Sequence, residues 1–203
     1  MIHPDTELRL INDEIGYGVV ATGFIPKGTI TWVLDKLDRV FSPSEITEYP
    51  TPYQDAVSKY CFRNKSGNYV LCWDSTRFVN HSFNPNCMTT AYDLEISIRD
   101  IKAGEQITND YGCFNIIRSF RPSDEGKRRK IVYPDDLAKY YRLWDKKLLS
   151  AFRRIKKVDQ PLINLISVDL WSTCCRISSG DEEMLSILNC YYDELNKEST
   201  ATE

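Results

Sequence analysis

Short apolar runs bounded by turn residues fill the first half of the chain, and beyond residue 133 the spacing of apolar positions becomes helical. Leu8-Arg9-Leu10-Ile11, Gly18-Val19-Val20-Ala21, Thr29-Ile30-Thr31-Trp32-Val33-Leu34, Tyr69-Val70-Leu71-Cys72-Trp73 and Leu94-Glu95-Ile96-Ser97-Ile98 read as strands. Asn64-Lys65-Ser66-Gly67-Asn68 suits a hairpin connection, and Pro26-Lys27-Gly28 and Lys102-Ala103-Gly104 punctuate other turns. Ser42-Pro43-Ser44-Glu45 reads as a helix start that opens a short helical insertion near residues 43–60. Further on, Leu137, Tyr141, Trp144, Leu148, Phe152 and Ile155 recur at steps of three and four and share one helical face. Pro134 suits the first turn, Asp135 and Asp136 its positive dipole end, and Arg153, Arg154, Lys156 and Lys157 the opposite end. Residues 161–177 also read as helical. Ser179-x-x-Glu182 fits a capping box that opens another helix with a stripe through Met184, Leu188, Tyr191 and Leu195. The pattern predicts an α+β protein in three parts: a mostly β body over 1–117, a flexible basic linker over 118–133 and a helical extension over 134–203.

Composition is ordinary for a folded chain, with 42% hydrophobic and 27% charged residues. The net charge of −3 hides an asymmetry: residues 1–112 sum to −5, residues 113–157 to +9 and residues 158–203 to −7. A middle segment of that sign suits an acidic partner such as nucleic acid or an acidic protein surface, and residues 118–157 are the expected contact. Seven cysteines, with no C-x-x-C pair, argue against a disulfide framework and for reduced thiols. No leader-like start and no apolar run of about 18 residues is present, so an intracellular protein, cytoplasmic or nuclear and without a membrane span, is expected.

The chemistry concentrates in Arg77-Phe78-Val79-Asn80-His81-Ser82-Phe83-Asn84-Pro85-Asn86-Cys87. This run resembles the R-F-x-N-H-S-C-x-P-N signature of SET-domain lysine methyltransferases. Two further pieces stand in the family's order: Gly16-Tyr17-Gly18-Val19 upstream and Gly104-Glu105-Gln106-Ile107-Thr108-Asn109-Asp110-Tyr111-Gly112 downstream. The resemblance spans roughly residues 7–112 and implies a SET-type fold of small sheets with a threaded, pseudoknot-like active-site segment.

It also implies methyl transfer from S-adenosylmethionine to a lysine of a protein substrate, a histone or another basic protein. Ile15, Gly16, Tyr17, Gly18, Asn80, His81 and a stacking Phe114 would bind the cofactor. Asn109, Tyr60 and Phe78 would line the lysine channel, and Tyr111 would serve catalysis as a phenol that is a donor at neutral pH. Phe83 replaces the family's usual cysteine and no cysteine run follows Tyr111, so no zinc is expected. Asn109 stands where members carry the Phe or Tyr that limits methylation, and its smaller volume predicts a di- or trimethyl product. Two other readings compete: a catalytically silent module that docks on chromatin or another acidic partner, and a thiol hydrolase pairing His81 with Cys87 or Cys113.

Overall fold

Asn12 turns the chain first. Its side-chain oxygen accepts the N–H groups of Glu14 and Ile15 at 3.0 and 2.7 Å, which folds β1 (Thr6–Asn12) back onto antiparallel β2 (Gly16–Ala21). The computed structural model describes residues 1–193. The chain continues through β3 (Ile30–Val33), whose four residues are all buried, and β4 (Arg39–Phe41). Ser42 accepts the Glu45 N–H at 3.1 Å and caps α1 (Pro43–Thr47), as its sequence predicts, and α2 (Thr51–Tyr60) completes the insertion. There follow β5 (Cys61–Arg63), β6 (Tyr69–Leu71), β7 (Asn80–His81), β8 (Cys87–Thr89), β9 (Leu94–Ser97) and β10 (Thr108–Asn109). Asn64 organises the β5–β6 hairpin by accepting from Ser66 and Asn68 at 2.9 and 3.1 Å.

The sheets are small: β1 with β2, β3-β9-β8 and β4-β6-β5, all antiparallel, plus a parallel pair of β7 and β10. Together with the helices they make an α+β fold. One core packs Val19, Ala21 and Ile25 against Val79, Ile101 and Ile107, directly behind the parallel pair.

A larger core joins the β3-β9-β8 sheet to the later helices, α3 (Asp136–Phe152) and α4 (Val168–Ser179). Ile30, Met88, Leu94 and Ile96 meet Leu137, Trp144, Leu148 and Phe152, the stripe predicted from the helical period. Each large side chain buried there contributes roughly 1.5–3 kcal/mol. Gln160 adds a polar tie, accepting from Ile30 N at 2.9 Å and donating to the carbonyls of Gly28 and Ile155 at 2.8 Å. No helix among the described residues is long and apolar enough to cross a membrane.

The last helical expectations need correction. Over 161–177 the helix begins only at Val168, because Ser167 accepts the Leu170 N–H at 3.1 Å and sets the cap there. Ser179 opens no helix, being the last residue of α4, and Gly180, at φ +85°, ends that helix in the left-handed conformation. The stripe beyond it forms only a short 3-10 turn, Ile187–Cys190, held to α3 by Asp145, which accepts from Ser186 Oγ at 2.7 Å and Ile187 N at 2.8 Å. Leu195 lies outside the described residues.

Leu148 is 1% exposed at the centre of the larger core. Leu148→Ala is expected to lower the unfolding free energy by about 2–5 kcal/mol in denaturant titrations. A loss below about 0.5 kcal/mol, the range of surface substitutions, contradicts this packing.

Candidate active site

Two residues of pairing do not hold strands together unaided, and Asn86 supplies what β7 and β10 lack. Fully buried, it donates to Gln106 O and accepts from Thr108 N, both at 2.8 Å, so it fixes the backbone that leads into β10. Thr108 then lies beside Asn80 and Asn109 beside His81, and Ser82 N donates to Asn109 O at 2.9 Å.

The pairing brings Tyr111 to His81. Tyr111 N donates to His81 Nδ1 at 3.1 Å, which places the imidazole proton on Nε2. Nε2 is buried without a hydrogen-bond partner. Burial, and next the Arg129 charge, push His81 down to about 4, so the imidazole is neutral at pH 7. Asp110 lies 3.9 Å from Nδ1, and with a neutral ring that approach is no ion pair. Phe83, Tyr111 and Phe120 surround the imidazole at centroid distances of 4.6, 5.5 and 5.6 Å.

Beside this pair runs the glycine segment. Asn80 Nδ2 donates to Tyr17 O at 3.0 Å, and a Cβ on Gly18 would fall 2.8 Å from Asn80 Nδ2 and from Gln106 Nε2. A side chain at Gly18 would displace both amides, so glycine permits this approach. Gly16, at φ +77°, has open space where a side chain would stand, and Ile15 lies in the turn just before it. The structure thus brings Tyr17 and Gly18 against Asn80, with Ile15 and Gly16 just before them in the chain and His81 just after Asn80. Tyr17 packs edge-on against Phe78, and Phe78 against Tyr60.

On the other side of Val79 opens a cavity of about 630 Å³ with Tyr60, Phe62, Glu95, Tyr111 and Phe114 in its wall. Tyr111 belongs to both sides: its backbone holds His81, and its hydroxyl donates to Val79 O at 2.7 Å. Burial, and next the Glu95 carboxyl, push the phenol up to about 12. Phe114, expected to stack on the cofactor, instead packs against Phe62 and Tyr111 in this wall, alongside Tyr60, and no residue of the glycine segment lines it. Phe78 and Asn109 are absent from the cavity wall.

Asn109 departs from its expected place in a channel. Fully buried, it donates to Glu95 Oε1 at 2.8 Å and accepts from Asp110 N at 2.8 Å. The expectation of higher methylation from its small volume loses its basis. Glu95 itself was hidden in the sequence, since an acidic residue between Leu94 and Ile96 reads as the solvent face of a strand. Glu95 is 6% exposed, and burial, only partly countered by Asn109, pushes its carboxyl up to about 7.

Residues 118–133, read above as a flexible linker, close over the site. Phe120 touches His81 and Tyr111, and Glu125 accepts from Ser82 Oγ at 3.0 Å and Phe83 N at 3.1 Å. Arg129 bonds Asp110 and Asp136 and lies over Phe83, Tyr140 and Trp144. Its charge is consumed inside the protein, so the basic run is not wholly a solvated face. Burial pushes the Cys87 and Cys113 thiols well up, against either serving as a nucleophile. Among the described residues no three His, Cys, Asp or Glu side chains are grouped to hold a metal ion.

His81 and Glu95 oppose each other in one pH window. The folded His81 value of about 4 lies below 6.5, so the unfolded chain binds more protons in between and stability is lost as pH falls from 6.5 to 4. The folded Glu95 value of about 7 lies above 4.5, so stability is gained as pH falls from 7 to 4.5. Each effect is on the order of 3 kcal/mol. Glu95→Gln is expected to uncover the His81 slope, with unfolding free energy dropping more steeply than wild type between pH 6.5 and 4.5. Superimposable pH profiles contradict these assignments.

No curated protein is significantly similar to the chain. Residues 16–112 match the family model of the SET domain, from the glycine segment to the residue after Tyr111, and this stretch of the chain is a SET domain.

Proposed function

We propose that this protein transfers a methyl group from S-adenosylmethionine to a lysine side chain of a protein substrate. SET domains are typically protein lysine methyltransferase domains, and those enzymes generally use this cofactor. The observation that carries the reading is the double attachment of Tyr111, with its backbone on His81 and its hydroxyl on Val79, at the edge of a cavity lined in part by aromatic rings.

The residues of the glycine segment fit such a cofactor. Gly16 leaves its backbone open to a ligand, and Gly18 keeps the strand against Asn80. Ile15 to Gly18 with Asn80 and His81 would hold it through main-chain groups. Bound there, it supplies an electrophilic methyl group on a cationic sulfonium.

The protein's own part is placement and exclusion of water. Tyr111 gives its hydroxyl proton to Val79 O and keeps oxygen lone pairs free, an electron-rich point beside a cationic centre. The aromatic wall around it, Tyr60, Phe62 and Phe114, desolvates an incoming lysine, which favours the neutral amine that can attack. Phe120 and the 118–133 segment shield His81 from water. The parallel β7–β10 pair supports the threaded arrangement of the active-site segment that the family implies. No zinc has a role in this reading. The substrate is a basic protein, histones included, and the exposed lysines and arginines between residues 139 and 157 suit an acidic partner.

Tyr111→Phe is expected to keep S-adenosylmethionine affinity in calorimetry while methyl transfer falls about a hundredfold, the cost of losing one positioned hydroxyl. Wild-type turnover in this variant contradicts the role given to Tyr111, and tight cofactor binding with no transfer by the wild type favours a silent binding module.

A further inference from the structure

Trp32 and Glu95 face one another because the register slips at Thr31: Ile30 pairs with Ile96, but Trp32 pairs with Glu95. Such a slip re-aims side chains, and opposed residues of antiparallel strands project to the same face. Both therefore reach the wall of the 630 Å³ cavity that also holds Tyr111 and Phe114. Glu95 Oε1 accepts from Asn109, while Oε2 has no hydrogen-bond partner among the described residues. The carboxyl also has no ion-pair partner there, an arrangement that costs stability unless a ligand uses it. In the same cavity wall the rings form a continuous run, Trp32 against Phe62 at 5.9 Å, Phe62 against Phe114 at 5.4 Å and Phe114 against Tyr111 at 6.0 Å. Aromatic rings and a carboxylate in one cavity wall suit a cation.

We propose that Glu95 receives the substrate's amino group in this cavity, binding the ammonium through Oε2 and accepting its proton, with Asn109 as the positioning residue. The inference rests on the methyl transfer proposed above. One proton passes from the ammonium nitrogen to Oε2, both charges disappear, and the nitrogen regains the lone pair needed for attack. After transfer the carboxyl proton returns to water.

The cavity wall also carries Asp55, Lys59, Arg63, Arg77 and Arg118, none of them bonded to the Glu95 carboxyl, and the groups that act on Glu95 itself leave the exchange open near neutral pH. Tyr111 on the adjoining turn and the thiols of Cys72, Cys87 and Cys113 on the packed strands and turn are all pushed up and stay neutral. The Met1 ammonium draws the carboxyl down, but burial outweighs it and holds Glu95 at about 7. A primary ammonium offers three N–H groups and a trimethylated one offers none, so the free oxygen favours the least methylated amine and a monomethyl product.

The test titrates n-butylammonium into the full chain without methyl donor and follows the Trp32 indole signal by NMR. Wild-type affinity is expected to rise between pH 6 and 8 and to exceed that for n-butyltrimethylammonium. Glu95→Gln, which keeps the shape and the Asn109 contact, is expected to bind n-butylammonium about tenfold or more weakly, with no pH dependence, for the loss of one charged hydrogen bond. Equal affinity of wild type and variant overturns the inference. If the variant does not fold, a wild type lacking both the pH dependence and the preference for the primary amine overturns it equally. Methyl transfer assayed on the same samples separates the two proposals: transfer with Glu95-independent amine binding removes only this one, and Glu95-dependent binding without wild-type transfer removes only the transferase reading.

Discussion

One guanidinium ties the site to the rest of the protein. Arg129 reaches Asp110, the residue before Tyr111, and Asp136, the first residue of α3, and the two carboxylates are 3% and 1% exposed. Burial alone would pull Arg129 down, but the paired carboxylates more than offset it and hold it above its ordinary value. Removing one partner of a buried pair leaves an uncompensated charge and costs about 3–5 kcal/mol. Here that loss would also release the turn that carries Tyr111, because Asp110 caps it by accepting from Gly112 N at 3.0 Å.

From that anchor the site can be followed outward. Asn86 pins the backbone entering β10, β10 lies along β7, and the pairing sets Tyr111 N on His81 Nδ1. The imidazole, neutral and enclosed by three rings, acts as an acceptor for backbone rather than as an acid or base. Tyr111 thereby faces the glycine segment through His81 and the aromatic cavity through its own ring. The same β10 residue that pairs with His81 sends its side chain the other way, to Glu95, so the two halves of the site share one short strand.

Local chemistry made much of this legible in the sequence. Strands β1, β2, β3, β6 and β9, the Ser42 cap and the stripe from Leu137 to Phe152 follow from period and capping, whereas β4, β5, β7, β8 and β10, two or three residues each, are too short to show a period. The motif residues Tyr17 and Gly18 do meet Asn80, and Tyr111 meets His81. What escaped depends on contacts distant in sequence. Glu95 looks like a solvent-facing strand residue until the register slip at Thr31 turns that face onto a cavity. Arg129 looks like one charge in a basic run until Asp110 and Asp136 close around it. Ser179 and Glu182 carry a capping pattern, but Gly180 between them ends a helix that has already formed.

The reaction proposed for this site is methyl transfer to lysine. The most direct measurement incubates the protein with cell extract and isotopically labelled S-adenosylmethionine, then locates the label by peptide mass spectrometry. Label is expected on lysine Nζ of one or a few basic proteins, dependent on intact Tyr111. Label on another residue type, or none in any protein while the chain remains folded, would contradict it.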